Sequence, residues 1–209
     1  MANIEGNESI PTPGFRSVLQ GNNPTSPAAA SGALTMEDAV RIGCLTNARY
    51  HASREAFLDS VHRWFMFGVI ALGAAAVVDL FSISLRGIFA AGAATLGALD
   101  LTFDLSNRAR LHSLMKRRYF ELLADLSEGR TNLKEAESLL NRYSADEGPS
   151  YQALLTASRN AAQEMVRGDS ALKYHVPRTH LWLKNIFRFG GEQYQGTSPQ
   201  ILNLGKRIP

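Results

Sequence analysis

The clearest chemistry in this sequence is carried by ionisable side chains set inside apolar runs. Asp79 is the only charge in Trp64–Ile83, and Asp100 is the only charge in Ile88–Phe103. A charge held in hydrocarbon is costly, so such a group pairs with a partner or lines a polar path. Asp79 lies seven residues before Arg86, on a similar helix face if the helix continues. Two readings stay open for it: an acid lining a pore or a ring between protomers, or an interfacial acid neutralised by Arg86. Asp100 and Asp104 are four residues apart, and Arg108 extends the series. Antiparallel pairing of the two runs brings Asp104 level with Phe65, near His62 and Arg63. That predicts a charge cluster at the base of the pair, with a cation-attracting mouth as the alternative. Two acids spaced i, i+4 raise one another's pKa unless an arginine compensates.

The histidines and the cysteine offer less. His51 and His62 are eleven residues apart, about three helical turns, and share a face. His112 is placed to approach one of them from a second helix. No HxxE or HExxH spacing accompanies them, so no metal and no cofactor is expected. His175 and His180 flank Pro177 and read the same way. Cys44 is the only cysteine, which excludes an internal disulfide and suits a small apolar position on a helix. No glycine-rich phosphate loop follows a strand, and no serine sits in a nucleophile's context. The chain is not expected to be an enzyme.

The elements that position these groups are helical. Over 209 residues the hydrophobic share is 45% and the charged share 20%, an average that resembles a soluble globule but hides one dense apolar block. Lys and Arg number 22 against 19 Asp and Glu, too small an excess to imply nucleic acid. Residues 1–34 hold four of the eight prolines among Gly, Asn and Ser and are expected to be disordered. Thr35 offers an N-cap, followed by Glu37 and Asp38 in the first turn. An amphipathic helix is predicted from there to Arg63, with Leu45, Ala48, Ala52, Ala56 and Val61 as its apolar stripe and Arg49, Arg54 and Asp59 off it.

Trp64–Ile83 is long enough to cross a bilayer core as a helix, roughly 30 Å. Ser84–Gly87 reads as a short polar turn, and the second span is predicted over about residues 85–105. Leu105–Glu128 continues as helix, with Leu111, Leu114, Met115, Leu122, Leu123 and Leu126 as one stripe and Gly129 as its stop. Further helices are predicted over Thr131–Tyr143, Ser150–Val166 and Thr179–Phe189, the last basic and aromatic. It reads either as a segment lying in the headgroup layer or as one docked on its neighbours. Residues 190–209 read as loop, and no strand pattern is evident.

Positive residues near span ends set orientation. Arg49, Arg54 and Arg63 precede the first span, and Arg108, Arg110, Lys116, Arg117 and Arg118 follow the second, while the turn has only Arg86. This basic collar predicts both termini in the cytoplasm. Gly68, Gly73, Gly92, Ala93 and Gly97 allow close helix approach in lipid, Ala93 and Gly97 as a small-xxx-small pair. Their contacts fall either within the pair of spans or between protomers. Two helices enclose no aqueous lumen, so any channel requires a homo-oligomer.

The stretch Arg49-Tyr50-His51-Ala52-Ser53-Arg54, followed by a span, a short turn, a second span and a basic helix, resembles bacterial SLATT domains. Leu111–Leu123, Ala145–Leu154 and Lys173–Pro177 also look like one group of uncharacterised bacterial two-transmembrane proteins. The likeness covers about Met36 to Phe189. It implies a membrane-perturbing or pore-forming effector of a conflict or defence system, acting as an oligomer. No nucleotidyltransferase, nucleotide-sensing or nuclease domain is recognisable, so the sensor is expected to be a separate protein.

The expected architecture is all-α. Residues 1–34 form a disordered segment. Residues 35–128 form a transmembrane hairpin continued by long cytoplasmic helices as an antiparallel stalk. Residues 129–189 are a cytoplasmic helical region, and 190–209 a flexible tail. The expected partners are the lipid bilayer of the bacterial inner membrane, further copies of the chain and a sensor, with no nucleic acid. The rival readings are a membrane-anchored interaction module without a pore, and a soluble helical-bundle adaptor.

Overall fold

The computed structural model describes residues 34–78, 82–190 and 194–197. The expected disordered head, Asp79 and most of the tail past Gly190 lie outside the described residues. Helix α1 (Met36–Val77) starts where the sequence places a cap. The Thr35 hydroxyl accepts from the Asp38 N–H at 3.0 Å, satisfying one amide that the helix start leaves unpaired. The helix then runs unbroken for 42 residues, about 63 Å. The amphipathic stretch and the first apolar run are therefore one element.

Helix α2 (Ile83–Phe103) corrects the expected turn. Ser82 is its N-cap, accepting from the Leu85 N–H at 3.4 Å, so Ser84–Gly87 lies inside the first helical turns. Arg86 is on the helix rather than in a loop. The polar residues that suggested a turn act as a helix start, for which serine is equally suited. The far end also differs from expectation. Asp104 adopts φ 47° and ψ 50°, a left-handed conformation costing an L-residue roughly 1–2 kcal/mol and least disfavoured for Asp and Asn. Helix α3 (Leu105–Ser127) begins immediately after it. Gly129, at φ 72°, follows the end of α3 as the sequence predicts, because glycine takes this conformation without a Cβ clash.

Three shorter pieces complete the helical head. Helix α4 (Leu133–Ala145) is capped by Asn132, which accepts from the Glu135 N–H at 2.9 Å. Helix α5 (Gln152–Arg167) leads through a 3-10 turn at Gly168–Ser170 to β1 (Lys173–Tyr174). Helix α6 (Arg178–Leu183) is shorter than the Thr179–Phe189 helix expected, and Phe189 takes φ 48°, which no right-handed helix accommodates. Part of the tail is not loop: β2 (Gly196–Thr197) pairs antiparallel with β1. Two-residue pieces have no alternation to read in a sequence. The fold is otherwise all-α among the described residues.

Helix α1 packs antiparallel along α2 and then α3. Leu72 reaches Gly92, Leu96 reaches Gly68, His62 meets Asp100 and His51 meets His112. The core lies at one end of this arrangement. Val40, Cys44, Ala48, Tyr119, Leu122, Ala136 and Leu140 form it, with Met115, Leu126 and Tyr143 against them. Ala153, Leu154 and Ala162 of α5 are buried as well. The apolar stripe of α1 was expected on one face, but α3, α4 and α5 all pack against it. Arg54, expected off the stripe, is consequently buried, and Ala56 is exposed. On α3, Leu111 and Leu114 are exposed, while Tyr119, absent from the expected stripe, is fully buried.

Two helical stretches are long and apolar enough to cross a membrane, one in Met36–Val77 and one in Ile83–Ser127, and none of either apolar window is buried.

Candidate functional site

A chain of polar side chains runs through the head where α1, α3 and the α4–α5 connection meet. His51 Nδ1 lies 2.7 Å from His112 Nδ1. His51 Nε2 lies 2.9 Å from Glu147 Oε1. The Tyr119 hydroxyl donates to the same Glu147 oxygen and lies 3.4 Å from the Ser144 hydroxyl, to which Asn47 donates at 3.4 Å. The rings reinforce the geometry: His51 stacks on Tyr119 with centroids 5.8 Å apart and planes at 14°, and Tyr50 meets His51 edge-on.

One arrangement of protons satisfies every link of the chain. His112 Nδ1–H donates to His51 Nδ1, and His51 Nε2–H and the Tyr119 hydroxyl both donate to Glu147. The electrostatics agree. His112 is driven down to about 4, first by burial and then by His51 and Arg54, so it is neutral at pH 7. Burial raises Tyr119, and Glu147 raises it further; burial also raises Tyr50. Both stay phenols, Tyr50 accepting from the Tyr151 N–H at 3.3 Å. A buried network of this kind fixes helix register, because each broken link strands a polar group. Among the described residues no cluster of His, Cys, Asp or Glu could hold a metal ion. Cys44 is buried in the core and its thiol is pushed up to about 12 by desolvation, so it packs as an apolar group.

The polar candidates of the apolar runs divide. Asp100 does meet a partner, His62, at 2.9 Å. Asp104, expected at that level, instead accepts from Asn107 at 3.0 Å and marks the α2–α3 joint, one turn beyond. Thr95 and Thr102 donate to carbonyls one turn back, at 2.8 and 2.7 Å, which satisfies hydroxyls within their own helix. Of the small residues, Gly68 and Gly92 mediate close approach. An added Cβ would lie 2.7 Å from Leu96 Cδ1 at Gly68, and 3.1 Å from Leu72 Cδ1 at Gly92. Gly73 and Gly97 have nothing within 4 Å of such a Cβ, and Ala93 is half-buried on α2.

The basic collar is largely engaged. Arg63 pairs with Asp59 at 2.5 Å, Lys116 with Glu55 across the helices at 2.5 Å and Arg117 with Glu121 at 2.6 Å. The Lys116 contact holds the Glu55 carboxyl below its usual range. Arg118 lies over the Tyr143 ring at 5.9 Å, and Arg108 and Arg110 are exposed.

Sequence reasoning anticipated the approach of His112 to His51 but not the rest of the network. Glu147 stands in Asp146-Glu147-Gly148-Pro149, which reads only as a break. Tyr119 had a usable signal: it follows Met115 by four residues and precedes Leu122 by three, on the buried face. Comparison of the chain with family models, with curated proteins and with solved structures gives no match.

Proposed function

We propose that the chain is a bacterial inner-membrane protein whose two apolar segments cross the bilayer as a hairpin, with both termini cytoplasmic. On this reading it acts as an oligomeric, membrane-perturbing effector engaged by a separate sensor. The observation that carries the membrane part is the absence of burial over both apolar windows, while a closed core forms elsewhere from the same helices. A soluble bundle buries its most apolar helices first. The distribution of basic residues supports the orientation. Gly73 and Gly97, open to approach, supply a face for a second copy. The effector role rests on the likeness to SLATT domains.

A second reading, a membrane-anchored interaction module without a pore, is favoured by one observation. Asp100 is closed off by His62, and Thr95 and Thr102 are satisfied within their helix, so these groups offer no free polar lining. Dye release separates the two. Purified chain in phosphatidylethanolamine–phosphatidylglycerol vesicles is expected to release carboxyfluorescein, and Gly97→Leu or Asp79→Leu to reduce the release at least severalfold. Intact vesicles at concentrations where crosslinking detects oligomers would overturn the effector and leave the anchored module. Extraction into alkaline carbonate without detergent would overturn both.

A further inference from the structure

Arg54 is a buried cation, 7% exposed, with no direct ion pair among the described residues. The nearby carboxylate, Glu147, is already held by His51 and Tyr119. Arg54 Nη1 donates to the Asn185 carbonyl at 2.6 Å, and the guanidinium lies 3.9 Å over Tyr151 and 5.7 Å from the Phe57 ring centroid. Its Nε has no hydrogen-bond partner, and neither has Asn185 Oδ1; both atoms are buried. Removing a charge from water is costly, and stacking on aromatic rings returns only part of that cost. The unpaired Nε leaves a buried donor that an anion would satisfy.

A second guanidinium reaches the same ring. Arg188 is exposed and stands 5.9 Å from the Tyr151 centroid, its position fixed by the Gln152 N–H donating to its carbonyl at 3.0 Å. Three separate segments, α1, the start of α5 and the stretch after α6, thus bring two arginines to one tyrosine. We propose that Arg54, Arg188 and Tyr151 form a binding site for a phosphate group. Forked donors suit an oxyanion with several oxygens, and the Tyr151 ring holds the Arg54 fork in place. Rotating the Asn185 amide by half a turn exchanges its stranded acceptor for a donor. The site lies ten residues before Trp64, about 15 Å along α1. Either a lipid headgroup or a free phosphate supplies the required chemistry.

The test does not depend on membrane insertion. The full chain in uncharged dodecyl maltoside micelles is unfolded thermally, with tryptophan fluorescence as the readout. Inorganic phosphate is titrated against chloride at matched ionic strength, and phosphatidylglycerol is added in a parallel series. A saturable rise in Tm of several degrees is expected. Arg54→Lys and Arg188→Ala are each expected to weaken the apparent Kd about tenfold or more. Arg188 is exposed, so Arg188→Ala keeps the test decisive if Arg54→Lys fails to fold. A shift with phosphatidylglycerol alone assigns the lipid headgroup; a shift with inorganic phosphate assigns a free phosphate. No saturable shift with either probe overturns the site, as does a shift undiminished in both variants.

Discussion

The two ends of α1 share one helix axis and an antiparallel neighbour throughout, yet they are covered differently. Between Ala39 and Leu58 ten residues are buried. Beyond Leu58 no described residue of α1 is buried, and α2 has none either. The buried end is wrapped by α3, α4 and α5 and contains tyrosine, histidine, arginine and threonine in its interior. The other end presents Trp64, Phe67 and Ile70 outward, as α2 does Ile83, and among its polar contacts are His62–Asp100 and, on α2, hydroxyls bonded within their own helix. Side chains that water would drive inward face outward, and groups that water would solvate are sealed in. The contrast teaches that one end completes its packing within the chain, while the other, long and apolar enough to cross a membrane, is left uncovered by it.

The largest expected effect attacks the apolar end. Ile70→Arg combined with Ala94→Arg places two charges on outward positions near the middle of the segments, at about 2.5–3.5 kcal/mol each for a helix centre. The double variant is expected to leave the carbonate-resistant membrane fraction. Retention there would show that these positions do not face lipid. Next comes the protein-packed end: Tyr119→Ala opens a cavity and strands Glu147, and is expected to cost about 3–5 kcal/mol of stability. Thermal unfolding in detergent checks it, and a cost under about 1 kcal/mol would mean that the head is loosely packed.

Acid should weaken the head selectively. The folded state holds His112 at about 4, below its unfolded value, so the open state binds the proton more tightly. Stability is therefore full above about pH 6.5 and falls as pH drops towards 4, by up to about 3 kcal/mol. Unfolding curves across that range are expected to flatten in His112→Phe, and an unchanged slope in that variant would remove His112 as the cause. The smallest effect lies at the joint between the ends. Asp104→Val is expected to cost roughly 1–2 kcal/mol, because a β-branched residue resists φ 47°, whereas Asp104→Gly is tolerated. Equal stability of the two variants would mean that the joint straightens at no cost.

Local signals carried much of the helix content. Thr35 capped by its hydroxyl, Gly129 closing α3 and the long apolar runs all act through neighbours in sequence, and all read correctly. Ser84–Gly87 misled because serine serves turns and helix starts alike, and only the path of the chain tells them apart. The stripe on α1 misled because periodicity predicts one buried face, whereas three partners bury several. The network was legible in one link: the helical spacing that allows His112 to approach His51. Glu147 and Arg54 were not, since both owe their roles to segments about a hundred residues away.

The sequence by itself determined that the chain is helical, where its apolar block lies and which flanks are basic. Those properties follow from composition and periodicity, which act within a few residues. The tertiary structure decided that the apolar block stays uncovered, that Asp100 and not Asp104 meets His62, and that Arg54 is buried beside Tyr151 and Asn185. These outcomes depend on the register between distant helices and on the volume that α4 and α5 fill. No local propensity encodes either quantity; they emerge when the head closes and one set of polar groups must find partners inside it.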